Sequence, residues 1–323
     1  MNELLEPFDR MLAGVVTPAA IRAIEEGGSP ISMWDELVSS GFLDALVPET
    51  SGGAELSLAA ICPLLQALGR RAIPLPVAET MIARRLLADE GLEWPQAPIA
   101  FAIPAADGGA LVPFGLVAEH VLVDLGDRVI LCGAGDGAPA PTGVRADLSA
   151  RMRWVEPKGL VLSRPEGGLR ALGALVRSAA IAGAAAQLLD MTVAYANERV
   201  QFDKPIGRQQ ALQQQLAVMA EDVVSARIAV ELGCAPGLPI NQAAVAIAKS
   251  ITSAAASRIA NTAHAVHGAI GISEEYDLQL YSRRLHDWRQ ADGSEGYWNR
   301  ILGGLRQTGP DGVVDWVREI VFV

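Results

Sequence analysis

Residues 171–200 constrain this chain more than any other stretch. They are rich in alanine, contain no proline and carry no turn-forming cluster, so they form one long helix. Such a helix needs neighbours of similar length to cover it. Residues 209–232 supply one, with Leu212, Leu216, Met219 and Val223 at i, i+4, i+7 and i+11 on a single face. Residues 241–265 supply another, and two shorter helices follow at 278–288 and 294–305. The C-terminal part of the chain, 167–323, therefore reads as a helical bundle.

Upstream, residues 1–95 also read as helical. Ile31, Trp34, Leu37, Val38 and Phe42 recur at three- and four-residue spacing, with Gly41 as a left-handed stop. Residues 47–53, VPETSGG, prevent that helix from continuing. A second pattern runs over 56–68 to Gly69, where Pro63 is expected to kink or shorten it. Pro74 and Pro76 make a turn before a third helix at 77–90. Between the helical parts, residues 96–166 change to short β-rich runs at 99–103, 120–123, 128–132 and 159–162, separated by Gly- and Asp-rich turns. The expected fold is mostly α with a central, small antiparallel β-domain, divided at 1–95, 96–166 and 167–323.

Composition narrows the function. Lys and Arg number 26 against 37 Asp and Glu, and a net charge of −11 repels phosphate backbones, which argues against nucleic acid. The three cysteines, Cys62, Cys132 and Cys234, are too few and too scattered for a disulfide framework or a zinc knuckle, and a reducing, cytoplasmic setting fits them. The acidic start MNELLEPFDRML lacks the basic and apolar regions of a signal peptide. The most apolar stretch carries Arg177, Gln187 and Asp190, so it reads as a core helix and not a membrane span.

Four segments carry chemistry. Residues 198–206, ERVQFDKPI, place an arginine fork and an aromatic face at a helix end, a combination suited to phosphate and purine, although an arginine there also simply complements the helix dipole. Residues 264–273, HAVHGAIGIS, read as a glycine-punctuated loop whose amides suit a phosphate. His264 and His267 have no third ligand at proper spacing, so a metal is not expected. Residues 292–296, DGSEG, hold two carboxylates beside glycines; a buried carboxylate is the usual general base, and the alternative is a capping arrangement with Ser294 as cap and Asp292 solvated. Arg283, Arg284 and Arg289 make a local basic patch on an acidic protein. No GxSxG elbow, Walker loop or strand-borne GxGxxG is present.

In this order, WDELVSSGFLDALVPETSGG, LGRRAIPLPVAET, ERVQFDKPIGRQQALQQQLAVMA and VHGAIGISEEYDLQLYSRRLHDW resemble the acyl-CoA dehydrogenases along essentially the whole chain. The resemblance implies an N-terminal helical domain, a β-domain and a four-helix bundle, assembled as oligomers around FAD. It implies oxidation of an acyl-CoA to its α,β-enoyl product: a carboxylate removes the α-proton while the β-hydrogen leaves as hydride to the flavin, and an electron-transferring flavoprotein takes up the electrons. Carried over residue by residue, Arg199 meets the FAD pyrophosphate, Phe202 the adenine side, and Gln210 hydrogen-bonds the cofactor. Gly268 and Gly271 lie against the FAD of a neighbouring subunit. Glu295, followed by Gly296, is favoured as the base over Asp292, and the family's other base position falls at Gly173 and Ala174, which supply no carboxylate.

The chain departs from the family at four points. Asp203 stands where a glycine follows the phenylalanine, Ala265 where a glutamine begins the glycine loop, the β-domain lacks a TEP-x-x-GSD-like segment, and the chain is short. Short chains of this kind resemble the subunits that pair with a fuller partner in heteromeric enzymes of bacterial steroid and bulky acyl-CoA catabolism. Three expectations stand: an FAD enzyme, a non-catalytic or partly catalytic subunit of a homo- or hetero-oligomer, or an acyl-CoA-binding protein without redox activity.

Overall fold

A computed structural model describes residues 4–309 and 312–321. The chain forms two compact units, one of residues 1–64, 73–176 and 237–240, the other of residues 65–72, 177–236 and 241–323.

The first unit opens with helices α1 (Leu5–Val15), α2 (Pro18–Glu25) and α3 (Ile31–Ser39). The Thr17 hydroxyl caps α2 by accepting from the amide of Ala20, and Pro18 follows at the first helical position. Gly41 takes the left-handed conformation expected after α3, at φ 74°. Helix α4 (Leu58–Arg70) continues past Pro63 and is started by Ser57, whose hydroxyl accepts from Ala60. Helix α5 (Val77–Asp89) carries Arg84, which is enclosed and pairs with Asp44 at 2.8 Å.

Strands β1 (Ile99–Ala102), β3 (His120–Asp124), β4 (Arg128–Gly133) and β7 (Leu160–Ser163) form one sheet in the order β1-β3-β4-β7. Antiparallel pairing joins β3 to β4 and β4 to β7, while β1 lies parallel to β3. A second, antiparallel sheet in the order β2-β6-β5 combines β2 (Gly109–Val112), β5 (Ala140–Pro141) and β6 (Ala150–Arg153). Inward residues of the two sheets, among them Val121, Val123, Val112, Met152 and Trp154, share one apolar cluster. All three cysteines are buried free thiols.

The second unit takes in residues 65–70 of α4 and 177–198 of the long helix α6 (Gly168–Glu198), together with α7 (Gln210–Cys234) and α8 (Gln242–His267), with α9 (Leu278–Gln290) and α10 (Glu295–Gln307) after them. Helix α8 is central: α7, α9 and α10 all pack on it, and Ala, Ser and Thr fill most of its buried positions. Small residues let backbones approach closely here. A Cβ on Gly183 would lie 1.9 Å from the carbonyl oxygen of Gln66, and one on Gly69 would lie 2.1 Å from that of Ala180. Among the described residues α6 alone is long and apolar enough to cross a membrane, and 83% of its most apolar window is buried in the protein. The short helix α11 (Val313–Trp316) brings Trp316 onto Ala243.

Candidate active site

Helix α6 ends at Glu198, and the chain reverses at once through a hairpin in which Val200 pairs with Pro205 and Gln201 with Lys204. Its two turn residues, Phe202 and Asp203, are both left-handed, at φ 53° and 63°, as a two-residue hairpin turn with a right-handed twist requires. The glycine expected at 203 from the resemblance is thus a position where backbone freedom matters, and Asp203 occupies it under strain. The turn leaves the Phe202 ring 86% exposed, with Arg199 and Gln210 also at the surface. Ile206 anchors the hairpin, packing with Tyr195, Ala196, Leu212 and Val266.

Residues 264–267, read from sequence as loop, are instead the last turn of α8, because nothing before Gly268 breaks a helix. Gly268 ends it at φ 61° and ψ −138°, a conformation open to glycine, and faces open space. The 3-10 turn Gly268–Ile272 follows, and Gly271 is buried within it, where a Cβ would stand 3.0 Å from both His267 and Leu278. His267 stacks on Tyr195, four residues before Arg199. The fold therefore gathers Arg199, Phe202, Gln210, Gly268 and Gly271 at one end of the bundle. His264 meets Ser282 at 2.9 Å, and no group of three or more potential metal ligands exists among the described residues.

Asp292 and Glu295 lie elsewhere, in the turn between α9 and α10. Asp292 is left-handed at φ 58° and its side chain is 6% exposed, which corrects the reading of a solvated residue. Its carboxylate lies 3.6 Å from the guanidinium of Arg177 on α6, itself 5% exposed. Glu295 is partly buried, and both its oxygens accept from Arg289, at 3.0 Å from Nε to Oε2 and more closely from Nη2 to Oε1. That hydrogen-bonded guanidinium holds the Glu295 carboxyl below the usual carboxylate range. Ser294 occupies the cap position of α10 without making a side-chain cap bond. Arg283 and Arg284 of the basic patch bond back to carbonyls of their own helix.

Two further members of this site were not singled out in the sequence. Arg177 counted there only against a membrane span, and Lys249 drew no notice within α8. The signal for both was a charged residue set within a local run of small and apolar neighbours, ALVRSAA and AIAKSIT. The Lys249 ammonium is enclosed and donates to the carbonyls of Trp288 and Arg289. Burial pushes it down to about 7, with Asp292 opposing that shift and Arg177 adding to it. From Lys249 to His267 the rise of α8 is about 27 Å, so the carboxylate turn and the Arg199 end are well separated.

The Arg199 end fits part of a flavin dinucleotide. An exposed arginine fork, an uncovered aromatic ring held by a strained turn, and a glycine backbone facing open space suit a phosphate and a purine, with Glu198 and Asp203 as opposing charges.

Comparison with known proteins identifies the family. A family model described as "Acyl-CoA dehydrogenase, C-terminal domain" matches residues 171–303. The acyl-CoA dehydrogenase IpdE2 of Mycolicibacterium smegmatis is 31% identical over 303 residues, covering 91% of this chain and 96% of its own. Among solved structures, the ChsE4-ChsE5 complex from Mycobacterium tuberculosis superposes with a TM-score of 0.77 at 23% identity, covering 95% of this chain and 97% of that one. The Tcur3481-Tcur3483 steroid acyl-CoA dehydrogenase, in its G363A variant, gives 0.81 at 23%, covering 94% and 97%. With 31% identity to IpdE2 over 91% of this chain, and the matching family model and fold, the chain belongs to the acyl-CoA dehydrogenase family.

Proposed function

We propose that this chain is one subunit of a heteromeric, FAD-dependent acyl-CoA dehydrogenase that desaturates a bulky acyl-CoA thioester, and that the proton-abstracting base comes from its partner chain. The Arg177–Asp292 pair carries the reading. A general base has to present a lone pair to the α-proton and hold a proton affinity near neutrality. Asp292 lies instead beside a buried guanidinium, and separating such a pair leaves an uncompensated charge. Glu295, the base favoured from sequence, has both oxygens engaged by Arg289, which lowers its affinity for a proton further.

The chain's own contribution lies at the other end of the bundle. There Arg199 holds phosphate oxygens, the Phe202 ring covers a purine and Gln210 hydrogen-bonds the cofactor, while Gly268 and Gly271 admit the FAD of a neighbouring subunit close to the backbone. FAD, when bound, supplies the acceptor for the β-hydride. The two-chain assemblies named among the similar structures support a heteromer, and the steroid enzyme among them supports a steroid-derived acyl group. An electron-transferring flavoprotein as oxidant and a cytoplasmic location complete the reading.

The test is single-turnover bleaching of the flavin by acyl-CoA in the assembled complex, with Asp292→Asn or Glu295→Gln in this chain. The reading predicts rates within a few-fold of the parent complex. A loss of about 100-fold or more, the size expected for a missing general base, returns the base to this chain.

A further inference from the structure

Lys249 is wholly enclosed, yet it makes its hydrogen bonds to another helix. Its Nζ donates to the carbonyls of Trp288 and Arg289, the latter at 3.2 Å, in the last turn of α9. Those are carbonyls that a helix end leaves without intrahelical donors, at the negative end of its dipole. Immediately afterwards the chain turns left-handed at Asp292 and Gly293, φ 58° and 98°, and this turn sets Asp292 towards Arg177. The Trp298 indole, on α10, fixes the same turn by donating to the Asp292 carbonyl at 2.9 Å.

The charged groups facing Lys249 are Arg177 on α6, Arg289 on α9, Asp292 in the turn and Glu295 on α10. Two arginines already balance the two carboxylates, so Lys249 is the cation in excess. Its burial is not explained by charge neutralisation, and what its contacts achieve is geometric.

We propose that Lys249 is the positioning residue of this turn: by fastening the end of α9 to α8 it holds Asp292 against Arg177. The inference deepens the reading of Asp292 given above and rests on it for its functional meaning.

The test is a double-mutant cycle between Arg177→Gln and Asp292→Asn, read by urea unfolding of the full chain, first with Lys249 present and then in Lys249→Met. Positioning predicts that the Arg177–Asp292 coupling falls by at least half in Lys249→Met. A purely electrostatic role predicts no fall, because removing a neighbouring cation leaves the pair itself in place. Lys249→Gln, which retains a shorter N–H donor, is the second variant and should keep more of the coupling than Lys249→Met. Thr252→Val is the control: it removes a buried hydroxyl that bonds back to the carbonyls of Ala248 and Lys249, and it leaves the coupling intact. Unchanged coupling in Lys249→Met overturns the proposal. So does failure of both to fold while Thr252→Val folds, since the lysine is then structural. None of these readouts involves flavin, acyl-CoA or a partner, so the heteromer reading stands or falls separately.

Discussion

The imidazole of His267 stacks on the ring of Tyr195, with centroids 4.4 Å apart and planes inclined by 23°. Its Nδ1 lies 2.8 Å from the Ala263 carbonyl and so carries the proton, which leaves Nε2 buried without a hydrogen-bond partner among the described residues. Burial lowers the His267 pKa, opposed by the Ala263 carbonyl and helped by His264. In the unfolded chain the ring protonates near its ordinary value of about 6.5, so below that pH the unfolded state binds more protons. The His267 contribution is therefore complete above 6.5 and is lost as pH falls towards the lower folded value. Urea unfolding from pH 7.5 to 5.5 should show stability falling with acid, with a shallower slope in His267→Gln. An identical slope in the variant contradicts the assignment.

The two arginine–carboxylate pairs of the carboxylate turn differ in burial, and their cost on disruption should differ accordingly. Asp292→Asn removes the carboxylate beside the enclosed Arg177 and should destabilise the chain by about 3–5 kcal/mol. Glu295→Gln acts on a pair whose side chains are 28% and 25% exposed, and it should cost about 1 kcal/mol or less. Chemical denaturation of the two variants checks the order; equal costs contradict the structural distinction.

Gly183 of α6 has no room for a methyl group beside Gln66, whereas Gly14 of α1 faces open space. Gly183→Ala should destabilise by about 1–3 kcal/mol through overpacking against backbone. Gly14→Ala should be neutral or stabilise by up to about 1 kcal/mol through helix propensity. Thermal unfolding of both variants decides it.

Asp203 combines a left-handed backbone with a negative charge beside the residues suited to phosphate. Asp203→Gly should raise stability by about 1 kcal/mol or less and increase flavin retained through gel filtration of the assembled complex. Phe202→Ala, at an exposed ring, should leave stability within about 0.5 kcal/mol and reduce that retention. Retention unchanged in both variants would remove the hairpin from the cofactor site.

The long helices were legible in the sequence because their periodicity extends over many turns. Leu212, Leu216, Met219 and Val223 identified α7, and α6, α8, α9 and α10 begin and end within three residues of expectation. Strands β1, β3, β4 and β7 were legible through their Val, Ile and Leu runs. The second sheet was not, since β5 has two residues and β6, ARMR, alternates buried and exposed positions with residues that favour strands weakly. The Thr17-Pro18 start of α2 was a readable signal that went unused. At the site, sequence order placed the Arg199 end. It gave no sign of Arg177 meeting Asp292, a contact between residues far apart in the chain that only the packing of α6 creates.

The visible absorption spectrum of this chain, purified alone and then co-expressed with a fuller acyl-CoA dehydrogenase-like chain, tests the central claim most directly. The account predicts that the chain alone shows no flavin band that acyl-CoA bleaches, and that the co-expressed pair is yellow and bleaches on addition of a bulky acyl-CoA. A flavin-loaded preparation of the single chain that bleaches with acyl-CoA contradicts it, and places a complete site, base included, on this chain.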